Sequence, residues 1–387
     1  MIRPRSAIVG VGATPYYKRG RSVPQTLDEL VCRAILAALD DAGLTVRDVD
    51  GFAYFSGGFD TPLIMETLGI PEITFTASLT GAGGGSAGMI GLAEAAIVAG
   101  QAHTVVCVGG VQQADTRFGE YAKGYAPSPM TAFYAASGLV GPGQMFALLA
   151  QRHMHVFGTT REDFAEVAIS TRINALSHPD ALMKKPMTLD DYFAAPMISD
   201  PLCLYDFCLE SDGAIAVVVT SPERARDLRQ KPVPVLASVH GGQRDWGRSL
   251  YWMNMPEEAF LGSGNADIAR RLYERADLTP DDIDTAQIYD HFTPMVIAQL
   301  EDFGFCPRGE GGTFVSSGAI RMSGSLPVNT DGGQLSGAYI WGMSHIREAV
   351  AQMRGTAANQ VPGARTVLVT GGPSSLPNSG LILGNAA

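Results

Sequence analysis

Apolar positions along this chain follow two periods. Short, nearly unbroken apolar runs flanked by turn residues, such as "SAIVGVG" (Ser6–Gly12) and "VDGFAYF" (Val49–Phe55), predict buried strands. Between them, "TLDELVCRAILAALDDAGL" sets Leu27, Leu30, Val31, Ala34, Ile35 and Leu39 at helical spacing and ends at Gly43, a good helix stop. The same order returns late in the chain. "PVPVLASVHG" (Pro232–Gly241) predicts a strand, "NADIARRLYERADL" (Asn265–Leu278) a helix, and "IDTAQIYDHF" (Ile283–Phe292) a strand running into a loop.

The connector repeats in detail. "AGLTVRDVD" (Ala42–Asp50) matches "ADLTPDDID" (Ala276–Asp284), and "HTVVCVGG" (His103–Gly110) matches "RTVLVTGG" (Arg365–Gly372). Two matches in the same order predict two related αβ halves, each a mostly parallel sheet with helices packed on it. The boundaries fall at 1–231 and 232–387. The first half carries an inserted helical and loop subdomain, about 111–205. In it "GQMFALLAQRHMHVFG" and "REDFAEVAISTRINALSHP" predict helices, and caps of the "LTPDDID" kind are absent. "SDGAIAVVVTSPERARDL" then returns to the first half as a core strand and a helix.

Bulk properties narrow the function. The 387 residues suffice for about two or three domains or subdomains. A net charge of −11 argues against a general nucleic-acid binder. No stretch approaches the roughly 20 apolar residues of a membrane-spanning helix, and the N-terminus reads as a first strand, so the expectation is a cytoplasmic protein off the membrane. The five cysteines are odd in number and lack close metal-ligand spacing, which predicts reduced, mostly buried thiols. Cys203 and Cys208 alone are near enough for a ligand pair or a disulfide. There is no "HExxH" or comparable cluster, and no metal is expected. One segment has the shape of a site. "TASLTGAGGGSAGMIGLAEAAIVAG" (Thr76–Gly100) runs from polar turn residues through glycines into an alanine-rich helix, yet Thr76–Ala87 contains no cysteine, lysine, acid or histidine.

At "GLAEAAIVAGQAHTVVCVGG", "DPLCLYDFCLESDGAIAVVV", "AQIYDHFT", "VNTDGGQLSGAYIWG" and "VTGGP" the chain resembles the thiolase superfamily over essentially its whole length. It looks most like the sterol-carrier-protein thiolase and lipid-transfer-protein branch. That resemblance implies an α/β thiolase fold, two related βαβαβαββ halves forming an αβαβα layered core. It also implies four altered positions. Gly83 stands near the place of the nucleophilic cysteine, Val369 at the second cysteine, Tyr339 at the "GHP" histidine and Tyr289 at the histidine or asparagine of the other loop. Without a thiolate there is no acyl-enzyme at this site. Cys107 lies mid-strand among valines, and Ser78 and Ser86 are the remaining candidate nucleophiles.

A retro-aldol reaction on a 3-hydroxyacyl-CoA breaks the bond that thiolases make or break, with no covalent intermediate. It needs a base for the hydroxyl proton, donors for the thioester oxygen, and an acid for the α-carbon. The resemblance assigns the proton transfers to Tyr289 and Tyr339. Free tyrosine has a pKa of about 10, so the base needs a positive charge, helix dipole or donor nearby, and His291 is the candidate helper. Asp290 and Asn329 are supporting residues, with Trp341 and His345 in their neighbourhood. Gly83, Gly84, Gly85, Ser86, Gly337 and Gly372 are expected at the thioester, and the missing side chain at 83 is expected to leave room for a bulky substrate. Lys123, Arg244 and Arg248 are candidates for the CoA phosphates, with solvated surface the plainer reading.

The superfamily includes steroid side-chain aldolases that resemble this chain. They cleave a 17-hydroxy-steroid carboxyl-CoA to a 17-ketosteroid and propionyl-CoA, in steroid side-chain degradation. The resemblance implies no cofactor, CoA being part of the substrate. It implies a homodimer through edge strands, and a small OB-fold and zinc-ribbon partner completing a heterotetramer. The alternatives are an atypical thiolase acting as an acyltransferase, and a non-catalytic acyl-CoA or lipid binder.

Overall fold

The computed structural model describes residues 4–55, 60–79, 82–114, 129–139, 141–244, 261–372 and 377–385. The first half supplies β1 (Ala7–Ala13), β2 (Tyr17–Lys18), α1 (Leu27–Ala42), β3 (Gly51–Phe55), α2 (Thr61–Leu68), β4 (Phe75–Leu79), α3 (Gly85–Val98) and β5 (Thr104–Val111). The insert follows with α4 (Pro129–Ala136), α5 (Pro142–Phe157), α6 (Arg161–Ser177), α7 (Leu189–Ala194) and a hairpin of β6 (Met197–Ser199) and β7 (Leu202–Cys203). The chain returns through β8 (Ser211–Thr220) and α8 (Pro222–Ala225). The second half runs β9 (Val233–Gly241), α9 (Ala266–Ala276), β10 (Thr285–Gln287), α10 (Thr293–Asp302), α11 (Gly311–Ser316), α12 (Met343–Arg354), β11 (Thr366–Gly371) and β12 (Asn378–Gly384).

Among the described residues the strands form a ten-stranded sheet, β10-β11-β12-β9-β1-β8-β5-β3-β4, with β2 paired to β8. The two halves meet where Ala7 faces Pro234 and Ile8 faces Val233. The sheet is less parallel than the sequence pattern predicts. β3 pairs in parallel with β4 and β5, and β10 with β11. β8 enters reversed between β1 and β5, and β12 reversed between β11 and β9. In each half the last strand closes the layer antiparallel, which alternation of apolar residues does not reveal. "TASL", expected as part of a polar turn, belongs to β4, an edge strand held in parallel register by β3.

Three buried apolar clusters give the layers. One lies between α1 and the first-half strands, with Leu30, Ile35, Val106 and Val218. One lies between α9, α10 and the second-half strands, with Leu272, Met295, Leu368 and Ile382. The central one surrounds α3 and α12 and draws on both halves, with Ile90, Ile346, Val105, Val217, Val367 and Leu383. The order is therefore αβαβα. The insert emerges from the first half but covers the outer face of the second, where Phe146, Leu149, Phe164 and Val167 join the α10 cluster.

The repeated connector is one structural device used twice. Each first helix ends on a left-handed residue, Gly43 at φ 73° and Asp277 at φ 54°. A capping box then turns the chain, with Thr45 and Asp48 in one half and Thr279 and Asp282 in the other. Finally an aspartate accepts backbone N–H groups from the second repeated segment. Asp50 takes those of His103 (2.9 Å) and Thr104 (2.8 Å), and Asp284 takes those of Arg365 (2.7 Å) and Thr366 (2.9 Å). The two sequence matches therefore touch each other. The insert has similar caps after all, at Thr160 with Asp163 and Thr188 with Asp191, in "TRED" and "TLDD" instead of "LTxxD".

Removing a charged acceptor shared by two N–H groups leaves both without their partner. Asp284→Ala is expected to lower stability by about 1–3 kcal/mol, read as a reduced urea midpoint, and Asp50→Ala by a similar amount.

Candidate active site

Tyr289 lies two residues beyond β10, where no strand ladder supports it. Side chains hold its main chain instead. Its N–H donates to Thr370 Oγ1 (2.9 Å), that hydroxyl donates to Gln299 Oε1 (2.6 Å), and Gln299 Nε2 donates to the Tyr289 carbonyl (2.8 Å). Neither Thr370 nor Gln299 is legible as a site residue. They stand 81 and 10 positions away in sequence and belong to different elements. Thr370 and Gly371 complete β11.

The phenol of Tyr289 points at the start of α3. A Cβ placed on Gly83 would lie 2.0 Å from Tyr289 Cζ and 2.1 Å from its oxygen. The ring therefore occupies the space that any side chain at 83 would need. This corrects the expectation of spare room: the volume of the absent side chain is filled by tyrosine. Gly84 is the N-cap of α3 and Gly85 its first residue. A Cβ at Gly85 would meet the Phe55 ring at 2.0 Å. The glycine run thus lets two aromatic rings close on the positive end of a helix, where an oxyanion or phenolate is favoured.

Tyr339 arrives from the opposite side, between a π-type turn at Gly333–Gly337 and α12. The two phenol oxygens are 3.5 Å apart, and the two residues are only 2% and 4% exposed. Trp341, at a left-handed φ of 53°, packs its ring 5.1 Å from Tyr339 and 5.6 Å from Phe55. Phe55, Trp341, Tyr339 and Tyr289 make an aromatic arc around the α3 N-terminus.

The supporting residues divide. Asn329, at φ 49°, pairs its amide with both backbone groups of Ile288 (2.7 and 2.9 Å) and so holds the residue before Tyr289. The fully buried Asp290 carboxylate accepts the Gln334 N–H (2.9 Å) and lies 3.1 Å from His345 Nε2. It braces one tyrosine loop against the turn that leads to the other. His291, a candidate helper, supplies no positive charge. Its ring lies 5.3 Å from that of Tyr289, and burial pushes its pKa down to about 3, so it is neutral at working pH. Gly337 is not a thioester donor. Its N–H donates to Gly332 O (3.0 Å) and its carbonyl accepts from Leu182 N (2.9 Å). Gly372 follows the end of β11, where a Cβ on Gly371 would lie 3.1 Å from Gly83 O. Ser86 is fully buried and donates its hydroxyl to Gly83 O (3.1 Å), while Ser78 is exposed on β4. Arg244 is exposed, and Lys123 and Arg248 lie outside the described residues.

Comparison with known proteins gives the family. Residues 252–385 match the family described as thiolase C-terminal domain-like. The chain is 39% identical over 398 residues, 99% of its own length and 100% of the other's, to 17-hydroxy-3-oxo-4-pregnene-20-carboxyl-CoA lyase of Mycobacterium tuberculosis. It is 40% identical over 393 residues, 98% of its length and 97% of the other's, to the steroid side-chain-cleaving aldolase of Thermomonospora curvata. A solved structure titled "Ltp2-ChsH2(DUF35) aldolase" superposes with a TM-score of 0.90 at 38% identity, covering 99% of this chain and 98% of that one. The chain belongs to the steroid side-chain-cleaving aldolases of the thiolase superfamily.

This aldolase-family chain holds its cysteines as thiols. All five are free. The buried Cys107 donates to Met89 O, and burial pushes its pKa well up. Burial, and then the Asp290 charge, push Cys208 up strongly, and Cys306 is pushed up to about 12. Among the described residues no group of three or more His, Cys, Asp or Glu side chains is disposed to hold a metal ion, and no helix is long and apolar enough to cross a membrane.

Two outcomes follow. Gly83→Ala is expected to destabilise the fold by about 1–3 kcal/mol, because the Tyr289 ring must move. In the Tyr289→Ala background the same change is nearly neutral, a non-additivity that a double-mutant cycle in denaturant measures. His291 is neutral in the fold at about pH 3 and above, against 6.5 when unfolded. Its contribution to stability is complete above pH 6.5 and is lost as pH falls toward 3. His291→Leu should therefore shrink the drop in thermal midpoint between pH 7 and pH 5.

Proposed function

We propose that this chain is a carbon–carbon lyase performing a cofactor-free retro-aldol cleavage of a 17-hydroxy-steroid side-chain CoA thioester, releasing a 17-ketosteroid and propionyl-CoA. The observation that carries the reading is the pair of buried phenols 3.5 Å apart, one of them filling the space a nucleophile at position 83 would need. One phenol, as phenolate, takes the proton of the tertiary hydroxyl. The bond from that carbon to the α-carbon breaks, the ketone forms, and the electron pair passes into the thioester as an enolate. The other phenol protonates the α-carbon, and a proton exchanged between the two oxygens resets the site. No net proton enters or leaves. The first turn of α3 faces the phenols and offers N–H donors to the enolate oxygen. A donor of this kind typically contributes about 3 kcal/mol, and the same helix end favours the phenolate.

The solved relative is an Ltp2-ChsH2(DUF35) aldolase. We extend to this chain a DUF35-type partner, an OB-fold and zinc-ribbon protein, in a heterotetramer built on a homodimer. The edge strand β4, with Thr76 and Ser78 exposed, suits the homodimer contact. A cytoplasmic setting fits the five free thiols.

Incubation with a 17-hydroxy-steroid carboxyl-CoA, with and without such a partner, should yield ketone and propionyl-CoA by mass spectrometry, with no acyl adduct on the intact protein. Tyr289→Phe and Tyr339→Phe keep the rings and remove only the hydroxyls. Each is expected to lower kcat by about 10²-fold or more. Full rate in both variants, or a covalent acyl-protein during turnover, would refute the mechanism.

A further inference from the structure

Tyr339 stands in an irregular stretch. The π-type turn ends at Gly337, Trp341 and Gly342 are both left-handed, and α12 begins at Met343. Neither a ladder nor a helix supplies partners for its main chain, and buried backbone groups require them. One side chain meets both needs. Ser211 Oγ donates to the Tyr339 carbonyl (2.9 Å) and accepts from the Tyr339 N–H (2.9 Å). Ser211 is itself fully buried at the first position of β8, and its own N–H donates to Gln113 Oε1 (2.9 Å). Its neighbours bind both tyrosine loops: Cys208 N donates to His291 O (3.0 Å) and Leu209 N to Gln334 O (2.9 Å). The segment 208–211 thus lies between the loops and is stapled to each.

We propose that Ser211 is a positioning residue for the lyase reaction, its hydroxyl fixing the main chain of Tyr339 and so setting the gap between the two phenols. This deepens, and rests on, the lyase reading above. The gap has a defined use. At 3.5 Å the phenols are farther apart than in an ordinary O–H···O hydrogen bond of about 2.7–2.8 Å. The two oxygens are nevertheless near enough to exchange a proton after a small movement. Tyr289 is held from within its own half by Thr370 and Gln299. Tyr339 is held by a residue of the first-half sheet, so Ser211 ties the geometry of the pair to the seam between the halves. Displacing a reacting group by about 1 Å can cost about 10²-fold in rate without loss of binding.

The test compares Ser211→Ala, Ser211→Thr and Ser211→Cys with Ser263→Ala. Ser263 is equally buried and donates to Asp302 (2.7 Å), so its loss serves as the control for general destabilisation. Two readouts are used: kcat and KM for the steroid CoA thioester, and fluorine NMR of protein carrying 3-fluorotyrosine, with the Tyr339 signal assigned by its disappearance in Tyr339→Phe. Ser211→Ala should lower kcat by about 10²-fold, leave KM nearly unchanged, and shift or broaden the Tyr339 resonance. Ser211→Thr, which keeps the hydroxyl, should restore most of the rate. Ser211→Cys fills the site with a weak donor and acceptor and should behave like the alanine variant, which covers a failure of the latter to fold. Ser263→Ala should leave both readouts in place. Wild-type kcat in Ser211→Ala or Ser211→Cys, an unmoved Tyr339 resonance, or an equal loss in Ser263→Ala would overturn the proposal. If wild-type protein turns over none of the thioester, the lyase reading falls, and the resonance still decides whether Ser211 positions Tyr339.

Discussion

A side chain at position 83 and the ring of Tyr289 exclude one another, and the rest of the site is arranged around that exclusion. Real Cβ atoms do not approach other atoms to 2.0 Å, the distance found here. The fold can hold a nucleophile at the start of α3 or a phenol above it. With glycine at 83 the phenol is buried, lies against the positive end of a helix, and faces a second phenol across a narrow gap. A similar exclusion explains why glycine continues to Gly85, since Phe55 needs the same kind of access two residues further on.

Such an arrangement demands precision from segments that have no regular structure. Both tyrosines sit in loops, and loops do not satisfy their own backbone groups. Here buried side chains do so: Thr370 and Gln299 for Tyr289, Asn329 for Ile288, Ser211 for Tyr339, and the Asp290 carboxylate for the turn between them. Each of these groups would be costly to bury alone, by roughly 1–3 kcal/mol, and is satisfied because it replaces a missing ladder bond. The core under the site is therefore polar by necessity, and its polarity is what makes the loops rigid.

The two halves share one connector device but contribute unequally. The first lends the helix end and the start of β8, and the second lends both phenols. The site exists only at the seam, where α3 and α12 are packed between the two parts of the sheet. The hydrogen-bonded join between halves is short, at Ala7 and Ile8. The central apolar cluster and the side-chain bonds across the seam carry the rest of the registration.

Periodicity and turn chemistry were enough to place the main strands and helices and the repeated connector, because buried runs, helical spacing and capping residues act over a few neighbours. The glycine run stood out by its turn residues and the helix behind it, and Tyr289 and Tyr339 came from resemblance of local motifs, all of it short-range information. What the chain alone did not reveal was set by contacts between distant segments. Strand direction in β8 and β12 depends on which neighbours they meet. The neutrality of His291 depends on the rings that bury it. The roles of Thr370, Gln299 and Ser211 depend on where a hydroxyl or amide lands after folding, and the filling of the space at Gly83 by a ring 206 positions away (289 − 83) depends on two halves closing on each other. Sequence determined which pieces would form; only packing in three dimensions decided which of them touch, because a side chain's neighbours, and with them its charge and freedom, are properties of the closed core.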